Sequence, residues 1–224
     1  MNSARCSCFA ATLSLLLMTG EAGAQDRISF HFDGKNLTDG VPAPWRFNKW
    51  APLVGLGGYE ATARVEDQDG QKVLYVKCVE AGFLVGAKRR VDPAQHPWAS
   101  WRWKAQTLPT GGSFKQRSTN DQALQVLFGF EGGKVLGYIW DSTGTPGASG
   151  SGLAFREDVR VIVLQAGTAK LGQWVDERRN LVEDYRRLFK EAPASLEGVA
   201  IQSNSQHTGS TGAGWVGPIT LSMS

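Results

Sequence analysis

Ser100-Trp-Arg-Trp-Lys-Ala105 alternates bulky apolar side chains with long cationic ones. A β-strand directs successive side chains to opposite faces of its sheet, so this alternation predicts a strand with Trp101 and Trp103 in the core. Arg102 and Lys104 should lie on the other face. The chain contains eight tryptophans, and rings of this size usually fill a core and sometimes stack on a ligand. The sequence therefore predicts a β-protein with a tryptophan-rich core.

Short β-rich segments recur along most of the chain. Gly, Pro, Asp and Ser separate them, and Asp69-Gly70 has the composition of a two-residue hairpin turn. So many strands at short spacing, without alternating helices, predict a mainly β fold built as a two-sheet antiparallel β-sandwich. The predicted strands are Ile28 to Phe32, Glu60 to Val65, Lys72 to Val79, Phe83 to Val91, Ser100 to Ala105, Gln122 to Phe130, Val135 to Trp140, Val159 to Gln165, Gly198 to Asn204 and Gly214 to Leu221.

One segment has helical periodicity instead. Asn180 is a suitable N-cap with Glu183 three positions later, and apolar residues recur at helical spacing up to Phe189. The helix should end before Pro193, because the residue that precedes a proline disfavours helical backbone angles. The sequence thus predicts one short helix near residues 180–190, packed against the sandwich.

The first 24 residues have the pattern of a secretory signal peptide. Arg5 supplies positive charge, Phe9 to Met18 is a short apolar run, and Ala22-Gly-Ala24 has the small residues of a cleavage site. We therefore expect residues 25–224 to form a single domain in the periplasm or outside the cell. No segment is apolar over the roughly 20 residues that a membrane span needs. Cys78 would be the single cysteine of the mature chain, which excludes an internal disulfide.

Charge and motif content argue against several kinds of partner. The formal net charge is only +3, and short basic clusters such as Lys88-Arg-Arg90 form no stripe, so we expect no nucleic-acid partner. The three histidines, His31, His96 and His207, are too scattered for a metal-ligand pattern. The glycines between Gly144 and Gly152 lack the lysine and helix of a phosphate loop. We expect a flexible loop there, and no metal or cofactor.

Six groups of motifs span nearly all of the mature chain. They are Trp101-Arg-Trp-Lys104, Asn120-Asp-Gln-Ala-Leu-Gln-Val-Leu-Phe128, Gly137-Tyr-Ile-Trp-Asp141, Leu171-Gly-Gln-Trp174, Arg179-Asn-Leu-Val-Glu-Asp-Tyr185, and Gly198-Val-Ala-Ile201 followed by Asn204-Ser-Gln-His-Thr208.

Together these motifs resemble the bacterial domain of unknown function DUF3047. The resemblance implies an exported, jelly-roll-like β-sandwich and brings no established activity. Where that family has two adjacent acids and then an arginine on the following strand, this chain has Asn120-Asp121 and Gln125.

Polar residues on the predicted strand faces are candidates for ligand binding. Long polar side chains ranged over a sheet can hydrogen-bond sugar hydroxyls beside an aromatic ring. The ordinary solvated face of an antiparallel sheet has the same pattern, so that interpretation remains open. The candidate ligand-binding residues are Arg102, Lys104, Gln125, Tyr138, Arg160, Trp174, Gln202, Asn204 and Gln206.

Tryptophans in loop-like sequence can supply the stacking ring, although closing the end of a sandwich is the commoner use of such residues. Trp140 shares a strand face with Leu136 and Tyr138, so we expect Trp140 to be buried. The candidates for a ring that meets a ligand are Trp45, Trp50, Trp98, Trp174 and Trp215.

Three residues are candidates for catalysis. Asp121 precedes one predicted strand and Asp141 follows the next, so both acids should lie near the open end of a hairpin. Paired carboxylates can cleave glycosidic bonds, and His207 can act as a general base. Capping of loops by the two acids, and a surface position for the histidine, are the commoner uses of such residues, and the sequence favours them.

These patterns favour a non-catalytic exported protein that binds a carbohydrate or a similar polar polymer of the cell envelope. A glycan-active hydrolase or lyase that uses Asp121, Asp141 or His207 is the alternative. A structural or assembly factor of the envelope is a third hypothesis.

Overall fold

The computed structural model describes residues 26–34, 37–38, 40–50, 60–153 and 156–224. The predicted signal peptide, at residues 1–24, lies outside the described residues. The strands form two seven-stranded sheets, here called sheet I and sheet II, and a two-stranded ribbon. The ribbon consists of β2 (Leu37–Thr38) and β3 (Val41–Pro42).

Sheet I contains strands from both ends of the described chain. Its strands are β1 (Arg27–Phe30), β5 (Glu60–Gln68), β6 (Gln71–Val79), β8 (Trp98–Thr107), β13 (Val175–Asn180), β15 (Thr211–Val216) and β16 (Ile219–Ser222). Their order is β1, β16, β8, β15, β6, β5, and β13 pairs with β8. Because β16 and β15 pair with successive parts of β8, β13 occupies the opposite edge of that strand.

Sheet II lies on the other side of the core. Its strands are β4 (Arg46–Trp50), β7 (Gly82–Val91), β9 (Leu124–Phe130), β10 (Val135–Asp141), β11 (Ser149–Leu153), β12 (Arg156–Ala166) and β14 (Leu196–Asn204). Their order is β11, β12, β10, β9, β14, β7, β4.

One strand pair departs from the predicted antiparallel arrangement. β10 and β12 are parallel, because the chain first forms β11 at the sheet edge and then returns as β12 between β11 and β10. The expected loop at residues 144–152 is therefore wrong in part, since Ser149–Leu153 is a strand. Its Ser-Gly-Ser-Gly sequence has little β propensity, and pairing with β12 overrides that weakness.

The core lies between the two sheets and is rich in aromatic rings. Alternation along β8 buries Trp101 and Trp103, at 4% and 0% exposure, as predicted. The Trp101 ring centroid lies 5.3 Å from that of Tyr138, and the Trp103 centroid lies 5.9 Å from that of Trp140. Rings of sheet I thus contact rings of sheet II directly. Burial of each large side chain contributes about 1.5–3 kcal/mol.

The predicted helix and hairpin turn are confirmed. Helix α1 (Leu181–Phe189) begins where the Asn180 side chain accepts hydrogen bonds from two backbone amides, each at 3.1 Å. It ends at Lys190, which has a left-handed φ of 62°. Asp69 and Gly70 join β5 to β6 with φ angles of 56° and 76°, as a hairpin turn of this composition requires. The described residues include no helix with the length and apolar character of a membrane span.

Candidate functional site

The outer face of sheet I carries a row of aromatic and cationic side chains. Cross-strand partners lie on the same face of a sheet. Tyr75 is the register partner of Arg64 and of Trp215, and Trp215 is also the partner of Lys104. The residues that alternate with them, such as Trp103 and Val216, are fully buried. The row therefore crosses four strands on the side away from the core.

Rings and cations in this row are in direct contact. The Arg64 guanidinium lies 4.1 Å from the Tyr75 ring centroid, and the Tyr75 and Trp215 centroids are 5.1 Å apart. Lys104 Nζ lies 4.4 Å from the Trp215 centroid and 4.8 Å from the Trp174 centroid. A cation held over an indole face is attracted by the quadrupole of the ring.

The same pattern continues along β8. The Arg102 guanidinium lies 4.5 Å from the Trp174 centroid, and the Arg178 guanidinium lies 3.8 Å from the Trp98 centroid. The three tryptophans on this face are all half-buried. We call the whole set the aromatic–cation strip; it consists of Arg64, Tyr75, Trp98, Arg102, Lys104, Trp174, Arg178 and Trp215.

The local sequence explains how the strip is positioned. β8 alternates strictly, so Trp98, Arg102 and Lys104 point outward while the intervening residues are buried. Trp174 lies in the turn before β13, where Gly172 has a φ of 72° and its amide donates to the Ala105 carbonyl at 2.8 Å. This turn brings the Trp174 ring back over β8. Along that strand, the path from Trp98 to Lys104 is about 20 Å long.

A hollow of about 450 Å³ lies between the Trp174 and Trp98 parts of the strip. Ser100 forms its floor in register with Arg178 on one side and Thr220 on the other. The hollow also exposes guanidinium and carboxylate groups, from Arg102 and Asp176. It therefore offers both hydrogen-bond donors and acceptors between two aromatic platforms.

Glu66 anchors one end of the strip. Its carboxylate accepts a hydrogen bond from Trp215 Nε1 at 2.7 Å and another from Arg64 Nε at 2.9 Å. Burial raises the pKa of Glu66, but these hydrogen bonds and the charge of Arg64 outweigh burial and leave the pKa below its usual range. The charged form of Glu66 thus holds the Trp215 ring in place.

A second group of predicted residues meets at one end of sheet II. Asp121 is fully buried and accepts hydrogen bonds from the Thr208 amide at 2.6 Å and from Asn204 Nδ2 at 2.9 Å. His207 Nδ1 lies 3.1 Å from the same carboxylate, and Gln125 Nε2 donates to Asn204 Oδ1 at 2.7 Å. The sequence named four of these residues as candidates, and the fold brings those four together.

Two further candidates, Gln202 and Gln206, lie close to this cluster along the chain. Gln202 is the register partner of Gln125, so both lie on the outer face of sheet II. Gln206 precedes His207, and its buried Oε1 has no hydrogen-bond partner.

Asp141 and Asp121 have different hydrogen-bond partners. Its carboxylate is fully buried and accepts hydrogen bonds from the backbone amides of Phe114, Thr143 and Gly144, at 2.8, 3.0 and 2.6 Å. These bonds hold the loops at residues 112–114 and 142–144. Loop capping, which the sequence left open as an alternative, is the role that these contacts describe.

Three expectations need correction. Tyr138 is 0% exposed and its hydroxyl donates to Asp184 at 2.8 Å, so it belongs to the core and presents nothing to a ligand. Burial raises its pKa well above the usual value. Arg160 is the register partner of Leu136, which places it on the opposite side of sheet II from Gln125. Trp45 is also fully buried, because its ring stacks on Phe32 at 4.8 Å.

The other candidate tryptophans have mixed outcomes. Trp98 and Trp215 lie on strands instead of in loops, but both reach the outer face of sheet I. Trp174 lies outside the strands, as expected. Trp50 is the last residue of β4, so it also lies on a strand instead of in a loop, and its side chain lies outside the described residues. Sequence reasoning did not identify Arg64, Tyr75 and Arg178. Tyr75 lies in the continuous apolar run Val73-Leu-Tyr-Val76, which is buried throughout, so no alternation marks the face on which it lies.

The outer face of sheet II has a different character. It carries a groove of about 590 Å³ with a floor of small residues, including Gly86, Gly129 and Ala200, beside Leu84 and Leu127. Within the described part of the chain, the lining of this groove contains no aromatic ring. The two outer faces of the sandwich therefore differ in chemistry, one being aromatic and cationic and the other mainly aliphatic.

The sequence matches the model of one known protein family over most of its length. The family model described as "Protein of unknown function (DUF3047)" matches residues 49–220. The chain belongs to the DUF3047 family. The DUF3047 match includes every residue of the aromatic–cation strip, as well as Asp121, Asp141 and His207. A search of curated proteins found no significant match.

Three solved structures are similar to this DUF3047 chain at low sequence identity. The family 11 carbohydrate-binding module of the cellulosomal cellulase Lic26A-Cel5E of Clostridium thermocellum is 8% identical, with a TM-score of 0.44, over 88% of this chain and 95% of that chain. A loop-swap mutant of Xyn11A of Necallimastix patriciarum is 11% identical, with a TM-score of 0.38, over 89% and 94%. The low-affinity xylan-binding module CBM86 of Roseburia intestinalis is 10% identical, with a TM-score of 0.27, over 79% and 93%.

Proposed function

We propose that this protein binds a carbohydrate polymer, without catalysis, through the aromatic–cation strip on the outer face of sheet I. The observation that supports the proposal most directly is the placement of three half-buried tryptophans on one sheet face. An indole ring offers a flat apolar surface that can stack on the apolar face of a sugar ring. The cations and hydroxyls beside the rings can hydrogen-bond the sugar hydroxyls.

The shape of the strip suits an extended polymer. Its two aromatic platforms are Trp98 at one end and Trp174 with Trp215 beside Lys104 at the other, and the backbone path from Trp98 to Lys104 is about 20 Å long. The hollow between them is lined by Ser100 and Thr220 hydroxyls as well as by charged groups. A chain of several sugar units can contact both platforms and the hollow at once.

The other surfaces fit a sugar less well. The groove on sheet II has no aromatic ring in its described lining, so it offers no stacking platform. The polar groups around Asp121 are already hydrogen-bonded to one another, and the buried carboxylate fixes the turn that contains His207 and Thr208. These groups have less free hydrogen-bonding capacity for a ligand than the strip does.

We place the proposed binding in the cell envelope. This setting rests on the signal-peptide pattern of residues 1–24, namely the basic start, the short apolar run and the small residues before Gln25. Polysaccharides are abundant surface polymers there, so a binder of an extended sugar chain fits the setting.

The test is a titration of the purified protein with envelope and plant polysaccharides, monitored by tryptophan fluorescence and calorimetry. Trp174→Ala should weaken binding at least about tenfold, because the variant loses a stacking surface. Leu84→Ala, on the outer face of sheet II, is the matched control and should leave the affinity unchanged. Circular dichroism checks that both variants fold. The proposal fails if no polysaccharide binds, or if the Leu84 variant loses as much affinity as the Trp174 variant.

A further inference from the structure

Three cations of the aromatic–cation strip form no ion pair within the described part of the chain. Glu66 pairs with Arg64 at 2.7 Å, and Glu60, on the same strand, pairs with Lys77 at 2.7 Å. Within the ranges that the structure describes, no ion pair involves Arg102, Lys104 or Arg178. The carboxylate closest to them in the strand register belongs to Asp176, which is the partner of Arg102. With Glu66 and Asp176 set against its four cations, the strip therefore keeps a positive net charge.

These cations are also held in defined positions. Lys104 Nζ donates to the neutral Gln68 Oε1 at 3.0 Å and lies between two indole rings. Arg102 and Arg178 each lie over a tryptophan ring, and the buried Nε of Arg102 has no hydrogen-bond partner. A cation restrained in this way loses little side-chain entropy when it binds an anion. The entropy cost therefore offsets less of the binding free energy than it would for a freely moving side chain.

The three cations follow one another in the direction of β8. Arg102 and Lys104 are two residues apart on β8, and Arg178 is in register with Ser100, two residues before Arg102. Two residues of a strand span about 7 Å. The backbone positions of the three cations therefore follow one another at steps of about 7 Å in the direction of β8, with Arg178 on the neighbouring strand β13.

We infer that the ligand of this face is an anionic polysaccharide, with carboxylate or sulfate groups that recur along the chain and bind Arg178, Arg102 and Lys104. This inference rests on the proposed function, since it assigns the charge of the polymer that the same strip binds. Guanidinium groups bind carboxylate and sulfate through paired hydrogen bonds. The rings stack on sugar units while the cations bind the anionic substituents.

The experiment compares four probes on the purified protein by calorimetry. Polygalacturonate supplies carboxylates, heparin supplies sulfates, dextran is a neutral polysaccharide, and a thymidine oligonucleotide is a single-stranded nucleic acid. We expect the protein to bind one or both anionic polysaccharides at least about tenfold more tightly than dextran. That binding should weaken steeply when the salt concentration rises from about 0.01 M to about 1 M, because the screening length falls from about 30 Å to about 3 Å.

Charge-removing variants locate the effect. Arg102→Gln and Arg178→Gln should each weaken binding of the preferred anionic polysaccharide by about tenfold, whereas Lys88→Gln, an exposed cation on the outer face of sheet II, should not. If dextran binds as tightly as the anionic polymers and still depends on Trp174, the inference is overturned while the proposed function stands. Absence of binding to every polysaccharide overturns both. Tighter binding of the oligonucleotide than of every polysaccharide also contradicts the inference.

Discussion

Asp121 shows how one buried residue can organise a whole turn. Its carboxylate is 0% exposed, yet all of its hydrogen-bond partners come from elsewhere in the chain, namely Thr208, Asn204 and His207. A buried carboxylate is stable only when its oxygens are satisfied, and donors left behind after its removal are costly. The residue therefore links β14 to the turn at residues 205–210.

Replacement of Asp121 tests this role. Asp121→Ala leaves the Thr208 amide and the Asn204 side chain without their acceptor, so we expect the free energy of unfolding to fall by about 3 kcal/mol. His207 is a partly exposed partner, with 38% of its side chain accessible, so His207→Ala should cost less than about 1 kcal/mol. Urea denaturation measures both variants. Equal losses would show that the histidine contributes as much as the buried donors do.

At the scale of single elements, α1 depends on its first residue. Asn180 ends β13 and also caps the helix, so one side chain fixes the point where the strand becomes a helix. Arg179, the residue before it, binds Asp184 of the helix through two hydrogen bonds at 2.9 and 2.7 Å. Two neighbouring residues, Arg179 and Asn180, thus stabilise the boundary between β13 and α1.

The contribution of this cap can be measured. Asn180→Ala removes the acceptor for the amides of Val182 and Glu183, and we expect a loss of about 1 kcal/mol in the free energy of unfolding. Asn180→Asp keeps an acceptor at the same position and should restore most of the stability. Thermal denaturation of the two variants decides the matter, since a loss in both would point to strand pairing instead of capping.

The stability that the hydrogen bond between Glu66 of β5 and Trp215 of β15 contributes should depend on pH. Burial raises the pKa of Glu66, but the hydrogen bonds from Trp215 and Arg64 together lower it by a larger amount. The pKa in the folded state therefore lies below the usual 4.5. A depressed carboxyl pKa stabilises the folded state above about pH 4.5, and this contribution is lost as the pH falls through the folded value. Stability measured between about pH 3 and pH 7 should therefore fall less on the acid side in Glu66→Gln than in the parent. Identical profiles would refute this role for Glu66.

At the scale of the whole molecule, the sequence predicted the architecture better than the site. Period-two alternation was enough to predict the sandwich and the burial of Trp101, Trp103 and Trp140, because each depends on a pattern within one segment. β13 was missed because its Val-Asp-Glu-Arg-Arg-Asn sequence has no apolar alternation, and it is a strand through its pairing with β8.

The aromatic–cation strip could not be predicted from local sequence. Its central row joins Arg64, Tyr75, Lys104 and Trp215. The first two residues meet across the β5–β6 hairpin, but β8 and β15, which carry the other two, lie far from that hairpin and from each other along the chain. Arg102, Lys104 and Trp174 were identified individually, because the first two alternate with core residues and the third follows a glycine turn. Their proximity depends on the order of strands in sheet I, which no periodicity encodes.

β1 and β16 have a mechanical consequence. They are antiparallel neighbours, with Arg27 opposite Ser222 and Phe30 opposite Ile219, so their outer ends leave the sheet side by side. A force that pulls Asp26 and Ser224 apart would load the hydrogen bonds of this pair one after another, as a zipper opens, instead of all at once. Under tension the domain should thus begin to open at low force, and it would do so beside β8, the strand that carries Trp98, Arg102 and Lys104 of the strip.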